Sequence, residues 1–278
     1  MNINELIKEG KTALGIEFGS TRIKAVLVNE QNEVLAQGDH EWENHLVDGI
    51  WTYPLEEVWE GLQDCYAKLK KTVYDKYDVK LTTLGAIGFS AMMHGSLAFN
   101  EKDELLVPFR TWRNTITGEA AAELSKELNF NMPQRWSISH YYQAILSKEP
   151  HVPEVAYFMT LAGSVHFKMT GKKVIGVGEA SGMFPIDSST GQYDTKMLAR
   201  FNELTAAKGI TTKVEDLMPK VASEGEDAGR ITDEGAQLLD PTGELESGIV
   251  MAPQEGDAGT GMTATNAVSV GTGNVSAG

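Results

Sequence analysis

Apolar residues recur with two different periods along the N-terminal third of the chain. Two short apolar runs, 13–18 and 23–28, flank a turn of small residues at 19–21, and this pattern predicts two strands joined by a tight turn. Residues 54–77 carry apolar side chains at i, i+3, i+4 and i+7 with charges opposite, which predicts an amphipathic helix. A further apolar run at 84–90 predicts a buried strand. Alternating strands and helices indicate an α/β fold.

Weaker patterns predict the remaining elements. They are helices at 119–128, 137–148 and 233–239, and strands at 249–252 and 268–270. The segment between residues 223 and 248 is rich in Gly, Asp and Glu, and it reads mainly as loops around the short helix. The last predicted strand leads into a glycine turn and five further residues. We interpret the end of the sequence as lying inside a domain.

Composition and charge narrow the class of protein. The chain has 278 residues, of which 41% are hydrophobic and 23% charged, as in globular proteins. Its net charge of −15 disfavours nucleic acid and anionic membranes as partners. The single cysteine, Cys65, excludes an internal disulfide and agrees with a cytoplasmic location; we expect it in or near the core. The N-terminus has no apolar run that would predict a signal peptide.

Two turns of small residues are candidate phosphate sites. The first follows an acid, Glu17, at the end of a predicted strand, and the second follows the strand at 268–270. Backbone N–H groups in such turns can approach a phosphate closely, and the acid can hold hydrated Mg²⁺. An ordinary hairpin with an exposed glutamate is the alternative. The turn residues are Gly19, Ser20 and Thr21, and Gly271, Thr272 and Gly273.

Two further segments suit recognition of a sugar or polyol. Met93 and His94 follow the buried strand at 84–90, and Trp112 and Asn114 lie in a Thr-Trp-Arg-Asn-Thr segment. An indole face can stack on a sugar, while imidazole and amide groups can bond hydroxyls. The alternatives are a structural histidine in a loop and a tryptophan in the core.

Asp257 is the candidate catalytic base. It lies in the segment Gly-Asp-Ala-Gly-Thr-Gly, after a predicted strand and a proline. A carboxylate at a helix N-terminus stays ionised, and in kinases such a group accepts the proton of the attacking hydroxyl. The alternative is an aspartate that only caps a helix.

Taken in order, these segments resemble the FGGY carbohydrate kinases, the family of xylulokinase, ribulokinase, gluconokinase and glycerol kinase. The resemblance includes Met169-Thr170-Gly171 and Ala180-Ser181 and extends from Thr12 to Gly278. It implies an actin-like ATPase, or ribonuclease-H-like, fold with a mixed sheet, flanking helices and a truncated second domain. The implied domains are an extension at 1–11, a sugar-binding domain at 12–255 and the start of a nucleotide-binding domain at 256–278.

The resemblance also implies an activity and its cofactors, ATP and Mg²⁺. The expected reaction is phosphorylation of a hydroxyl of a ketopentose such as xylulose, or of a related polyol or aldonate, and this piece alone is expected to be inactive. Asp257 would be the base, Glu17 would hold the metal, and Met93, His94, Trp112 and Asn114 would contact the sugar. Glu17 stands where the family has Asp, and Asn114 stands where xylulokinases have an acid.

The alternative function is an actin-like ATPase or a sugar-sensing regulatory protein without kinase activity. The same fold and phosphate turns would serve such a switch, but a pure switch has no need for Asp257 together with the sugar motifs. The sequence leaves a homodimer open and does not identify the sugar.

Overall fold

The computed structural model describes residues 2–275, so position 1 of the predicted extension and positions 276–278 of the predicted second domain lie outside the described residues. The α-helices are α1 (Ile3–Lys8), α2 (Leu55–Tyr77), α3 (Gly118–Glu127), α4 (Ser137–Leu146), α5 (Leu161–Thr170), α6 (Val177–Ala180), α7 (Thr195–Ala206), α8 (Val214–Leu217), α9 (Asp233–Leu239) and α10 (Asp257–Ala264). The strands are β1 (Ala13–Phe18), β2 (Arg22–Val28), β3 (Val34–Glu41), β4 (His45–Val47), β5 (Ile50–Thr52), β6 (Ala86–Ala91), β7 (Leu97–Phe99), β8 (Tyr157–Met159), β9 (Val174–Gly176), β10 (Ile186–Asp187), β11 (Gln192–Tyr193), β12 (Lys220–Ala222), β13 (Val250–Met251) and β14 (Glu255–Gly256).

A mixed sheet organises the N-terminal part of the chain. Its strand order is β13-β6-β1-β2-β3, and β14 also pairs with β6. Strands β1, β2 and β3 form an antiparallel meander, whereas β6 runs parallel to β1, β13 and β14. The prediction that β1 is a central strand beside β2 is therefore confirmed. The parallel arrangement brings the carboxyl ends of β1, β6 and β14 to one edge of the sheet.

Helix α2 covers one face of this sheet with its apolar stripe, as the periodicity predicts. The helix approaches closest at Gly38 of β3, where a Cβ atom would lie 2.6 Å from the backbone nitrogen of Leu69. Cys65 is fully buried at the same contact, and its thiol donates to the carbonyl oxygen of Gly38 at 3.3 Å. Burial raises the pKa of this thiol to about 12, so Cys65 is a core residue, as expected.

A second apolar core lies beyond β7 and β8. Helices α3, α4, α7 and α8 contribute to it, and the fully buried ring of Phe201 contacts those of Tyr142 and Phe184, which are also fully buried. The two cores are linked by the β7–β8 pair, whose successive residues belong to different cores. This second core supports the loops that follow β6.

The predicted elements agree with the structure except at the C-terminal end. Helix α9 spans the predicted residues, and α4 ends at Leu146, two residues early. The predicted strand at 268–270 is wrong: those residues are not in a strand, and Val270 is fully exposed. A strand requires a partner for its N–H and C=O groups, and no strand of residues 2–275 pairs with this segment. Within the same residues, no helix is both long enough and apolar enough to cross a membrane.

Candidate active site

The end of β6 brings Met93 and His94 to the carboxyl edge of the sheet. The chain turns sharply there, because both His94 (φ +74°) and Gly95 (φ +80°) adopt the left-handed conformation. This conformation is unfavourable for a histidine, so surrounding contacts must hold it. The Gly95 N–H donates to the carbonyl of Arg135 at 2.8 Å, and the Ser137 hydroxyl donates to the carbonyl of Gly95 at 2.5 Å.

The imidazole of His94 is packed against Gly182, in the turn after α6. A Cβ atom on Gly182 would lie 2.6 Å from His94 Nδ1, so only glycine leaves room for the ring. Burial lowers the pKa of His94 to about 4, and the positive charge of Arg135 adds to this effect. His94 is therefore neutral near pH 7, and the imidazole can donate one hydrogen bond and accept another.

Asp257 begins α10 and lies next to this turn. The backbone groups of Met93, Ala258 and Asp257 itself lie close enough to its carboxylate to lower its pKa. Asp257 as a whole is exposed, but neighbouring protein atoms displace part of the hydration of its carboxyl group and raise its pKa, while these three backbone groups oppose that rise. Gly256, not Asp257, occupies the N-cap position, so the arrangement does not support the interpretation of Asp257 as a helix cap.

A fully buried acid, Glu179 of α6, lies directly under the loop that carries Asp257. A Cβ atom on Gly256 would lie 2.6 Å from Glu179 Oε2 and would collide with the Met93 side chain. Burial raises the pKa of Glu179 to about 8, and the negative charges of Asp257 and Glu255 contribute. The sequence analysis did not identify this residue.

The carbonyl groups of the predicted phosphate turn at the end of β1 accept hydrogen bonds from neighbouring aromatic residues, which fix the turn in place. Trp42 Nε1 donates to the carbonyl of Gly19 at 2.7 Å, and the Tyr53 hydroxyl donates to the carbonyl of Ser20 at 2.7 Å. The backbone N–H of Trp42 bonds the carbonyl of Thr21 at 3.2 Å. Ser20 and Thr21 are exposed, so the turn presents their hydroxyl groups at the surface.

Glu17 belongs to a row of polar side chains that crosses the uncovered face of the sheet. In register, Lys24 of β2 pairs with Glu17, Glu17 with Ser90 of β6, and Ser90 with Glu255 of β14. These residues line a cleft of about 460 Å³ together with Thr260, whose hydroxyl lies 3.0 Å from that of Ser90.

The oxygen ligands in this cleft fit a hydrated Mg²⁺ bound to phosphate. Mg²⁺ usually keeps several waters and takes one or two carboxylates plus phosphate oxygens, and Glu17 can supply such a carboxylate. Residues 2–275 contain no group of three or more His, Cys, Asp or Glu side chains arranged to hold a metal ion, so the remaining ligands would come from water and phosphate.

The two other predicted sugar residues lie on the loop beside Gly95 but differ in orientation. Trp112 is 41% exposed, which leaves its indole free for stacking. Asn114 is buried, and its amide bonds the N–H and C=O of Trp51 at 2.9 and 2.8 Å and the carbonyl of Thr111 at 3.0 Å. These bonds use the donors of the Asn114 amide, so the geometry favours a role in fixing the loop over direct contact with a sugar.

The second predicted phosphate turn is exposed. The Thr272 N–H donates to the carbonyl of Ser269 at 3.0 Å, and Gly271 has φ +85°. No hydrogen bond among residues 2–275 joins this turn to the first one, so their pairing around a phosphate stays a prediction.

The comparison with known families identifies the chain. The family described as "FGGY family of carbohydrate kinases, N-terminal domain" matches residues 12–244. The chain belongs to this family. L-fuculokinase from Haemophilus influenzae is 25% identical over 204 residues, which cover 67% of this chain and 42% of that protein. Gluconokinase from Bacillus licheniformis is 26% identical over 220 residues, which cover 75% of this chain and 40% of that protein.

Solved structures agree with an FGGY fold. Gluconate kinase from Lactobacillus acidophilus superposes with a TM-score of 0.74 at 18% identity, covering 92% of this chain and 50% of that one. Xylulose kinase from Rhodospirillum rubrum gives 0.73 at 19% identity, covering 91% and 52%. The predicted actin-like ATPase fold is thereby confirmed. The chain spans about two fifths of the length of these curated relatives.

Two acids near Asp257 were not identified from the sequence. Glu179 lies 78 positions before Asp257 and looks like a surface residue of a short helix. Glu255 is two positions before Asp257, and its carboxylate accepts the N–H of Glu179 at 3.1 Å. Gly176 and Gly178 face it, and a Cβ atom on either would collide with its carboxyl group. The sequence contains one indication of this packing. Three glycines lie between positions 176 and 182, and closely spaced glycines predict that other side chains approach the backbone there.

Proposed function

We propose that the protein carrying this chain transfers the γ-phosphate of ATP to a hydroxyl of a ketopentose, polyol or aldonate. The chain would supply the sugar-binding domain at 12–255 and the catalytic base, and the remaining part of the nucleotide site would come from residues outside it. The observation that carries the proposal is the position of Asp257 at the start of α10, beside Met93 and His94 at the end of β6. Family membership supports ATP-dependent phosphorylation of a sugar.

Asp257 would act as the general base. Its carboxylate oxygen accepts the proton of the sugar hydroxyl while the hydroxyl oxygen forms a bond to the γ-phosphorus and the bond between that phosphorus and the β,γ-bridging oxygen of ATP breaks. The N–H groups of Met93 and Ala258 orient the carboxylate. Partial loss of hydration raises its pKa, which makes it a stronger base than a solvated aspartate.

Neutral His94 and exposed Trp112 would hold the sugar. The imidazole bonds hydroxyl groups without introducing a charge, and the indole stacks on the apolar side of the ring or chain. Such catalysis depends mainly on positioning and charge stabilisation. ATP–Mg²⁺ supplies the phosphoryl group and neutralises charge when bound; Glu17, Ser20 and Thr21 line the place where it would bind.

Kinetics of Asp257→Asn test this assignment in a protein that contains both halves of the kinase. Asparagine keeps the size and accepts similar N–H bonds, but it cannot take the proton. We expect sugar and nucleotide affinity within about two-fold of wild type and a loss of about 10²–10⁴ in kcat. His94→Ala should instead raise the sugar KM at least as much as it lowers kcat, because it removes binding interactions.

Two results would contradict the proposal. Near-normal turnover by a folded Asp257→Asn protein would remove Asp257 as the base. ATP hydrolysis that no member of a panel of ketopentoses, polyols and aldonates accelerates would indicate an ATPase switch instead of a sugar kinase.

A further inference from the structure

Several buried polar atoms without hydrogen-bond partners gather around the loop of Asp257. Within residues 2–275, they include both carboxyl oxygens of Glu179 and Oε1 of Glu255. Buried polar groups in folded proteins are nearly always bonded, so each exception requires an unseen partner or a functional reason. These atoms lie around one loop, where a water molecule or a polar ligand can bond them.

Among these residues, Glu179 has the largest unmet requirement for hydrogen-bond partners, because both of its carboxyl oxygens lack one. Its side chain is fully buried, and its Oε2 atom lies against Gly256 and the Met93 side chain, beside the candidate base. The Thr160 hydroxyl is near enough to moderate the pKa of Glu179, but it lies outside hydrogen-bonding geometry with the two oxygens and accepts the N–H of Gly163 at 3.3 Å. An acid buried without a partner is unfavourable.

The protonation state of Glu179 decides what it can bond. Burial raises its pKa to about 8, with the charges of Asp257 and Glu255 adding to that effect. The carboxyl group therefore retains its proton near pH 7 and offers one O–H donor and a carbonyl acceptor. That combination matches a hydroxyl group, which also donates once and accepts.

Glycine residues surround the carboxyl group of Glu179 and its neighbours. The site has glycine at positions 178, 182 and 256, where a Cβ atom would approach Glu255, His94 and Glu179, respectively. The arrangement indicates that Glu179 is held close to the reacting end of the substrate.

We propose that Glu179 is a specificity-determining residue of the sugar site, whose carboxyl group hydrogen-bonds a substrate hydroxyl, directly or through one bound water. This proposal rests on the proposed sugar kinase function. A substrate would reach Glu179 once the Met93 side chain, which lies against Gly256 beside it, moves aside, and the contact would distinguish a polyhydroxylated substrate from its deoxy analogue. A site built to bond a hydroxyl rejects the analogue that lacks it, because the buried acid would again have no partner.

Sugar binding by the 278-residue chain and three variants tests the proposal. Affinities for ketopentoses, polyols and aldonates are measured by calorimetry, and folding is checked by melting. Glu179→Gln keeps a donor and an acceptor and should bind within about three-fold of wild type. Glu179→Met keeps the volume without hydrogen bonds; it should melt at or above the wild-type temperature and bind at least about ten-fold more weakly. Tyr66→Phe removes the hydroxyl of Tyr66, a buried atom without a partner far from the loop, and should leave sugar affinity unchanged.

The outcomes separate this inference from the function on which it rests. If wild type binds a sugar and Glu179→Met binds it equally well, the assignment of Glu179 is overturned while the sugar site stands. If Glu179→Met does not fold, Glu179→Asp serves in its place, since it withdraws the acid by one methylene; unchanged affinity in that variant also overturns the assignment. If wild type binds no sugar of the panel, both the inference and the proposed function fail. A wild-type preference for one substrate over its deoxy analogue of about 10² or more, lost in Glu179→Met, would confirm the contact.

Discussion

Replacing Glu179 with glutamine should stabilise the chain by an amount that grows between pH 5 and pH 7. Burial raises the pKa of the Glu179 carboxyl to about 8 in the folded state, from the ordinary value of 4.5. The unfolded chain exposes this group to water and releases its proton near the ordinary pKa. The folded state therefore holds a proton across this interval that the unfolded state has lost.

Linkage converts this difference into a loss of stability as the pH rises. The unfolded state binds fewer protons at this position, so the free energy of unfolding of the wild type falls between the two pKa values. With about 1.4 kcal/mol per pKa unit, the loss from this group is about 1 kcal/mol at pH 5, about 3 kcal/mol at pH 7 and about 5 kcal/mol above pH 8. Glutamine does not titrate. The stability difference between variant and wild type should consequently rise by roughly 2–3 kcal/mol from pH 5 to pH 7.

Urea unfolding of both proteins at pH 5, 6 and 7 in one buffer system measures this difference. Glu101→Gln, which removes one negative charge from an exposed turn, controls for the change in net charge. A difference between Glu179→Gln and wild type that stays constant within about 0.5 kcal/mol over this range would refute the reasoning, since it would mean that the folded chain holds no extra proton at Glu179.

Two further substitutions test packing and buried charge. Gly256→Ala should lower the melting temperature and weaken sugar binding, because the added methyl group would lie within 2.6 Å of neighbouring side-chain atoms. At Gly259 an added methyl group would have no atom within 4 Å, so Gly259→Ala should be nearly neutral. Equal effects of the two substitutions would contradict the packing described for Gly256. Lys70→Met leaves the buried carboxylate of Asp240 without the partner it has at 2.7 Å and should cost about 3 kcal/mol in urea unfolding. Lys71→Met removes an exposed ion pair and should change stability by less than about 1 kcal/mol. A similar loss in both lysine variants would show that burial of the Lys70–Asp240 pair does not increase its contribution to stability.

Local periodicity determined the elements whose stability comes from one continuous apolar face. The stripe of α2 and the apolar runs of β1, β2 and β6 were predictable because helices and strands bury side chains at fixed intervals. Short motifs at the ends of β1, β6 and β14 singled out Glu17, His94 and Asp257, because small residues beside a polar one at a strand end leave room for a ligand. The strand expected at 268–270 failed because strand formation depends on a partner, and no local pattern specifies whether one is present.

The tertiary structure alone decided which polar groups share a site. Asn114 looks like a ligand in its motif, yet folding places its amide against the backbone of Trp51, which is 63 residues away. Glu179 looks like an ordinary helical acid, yet folding buries it beneath Gly256. Burial and pairing across such distances arise from the packing of whole elements. A site that depends on a buried, desolvated carboxyl group therefore cannot be predicted from the sequence alone. A site that depends on a turn at the end of a strand can be predicted, because its residues are adjacent in the sequence.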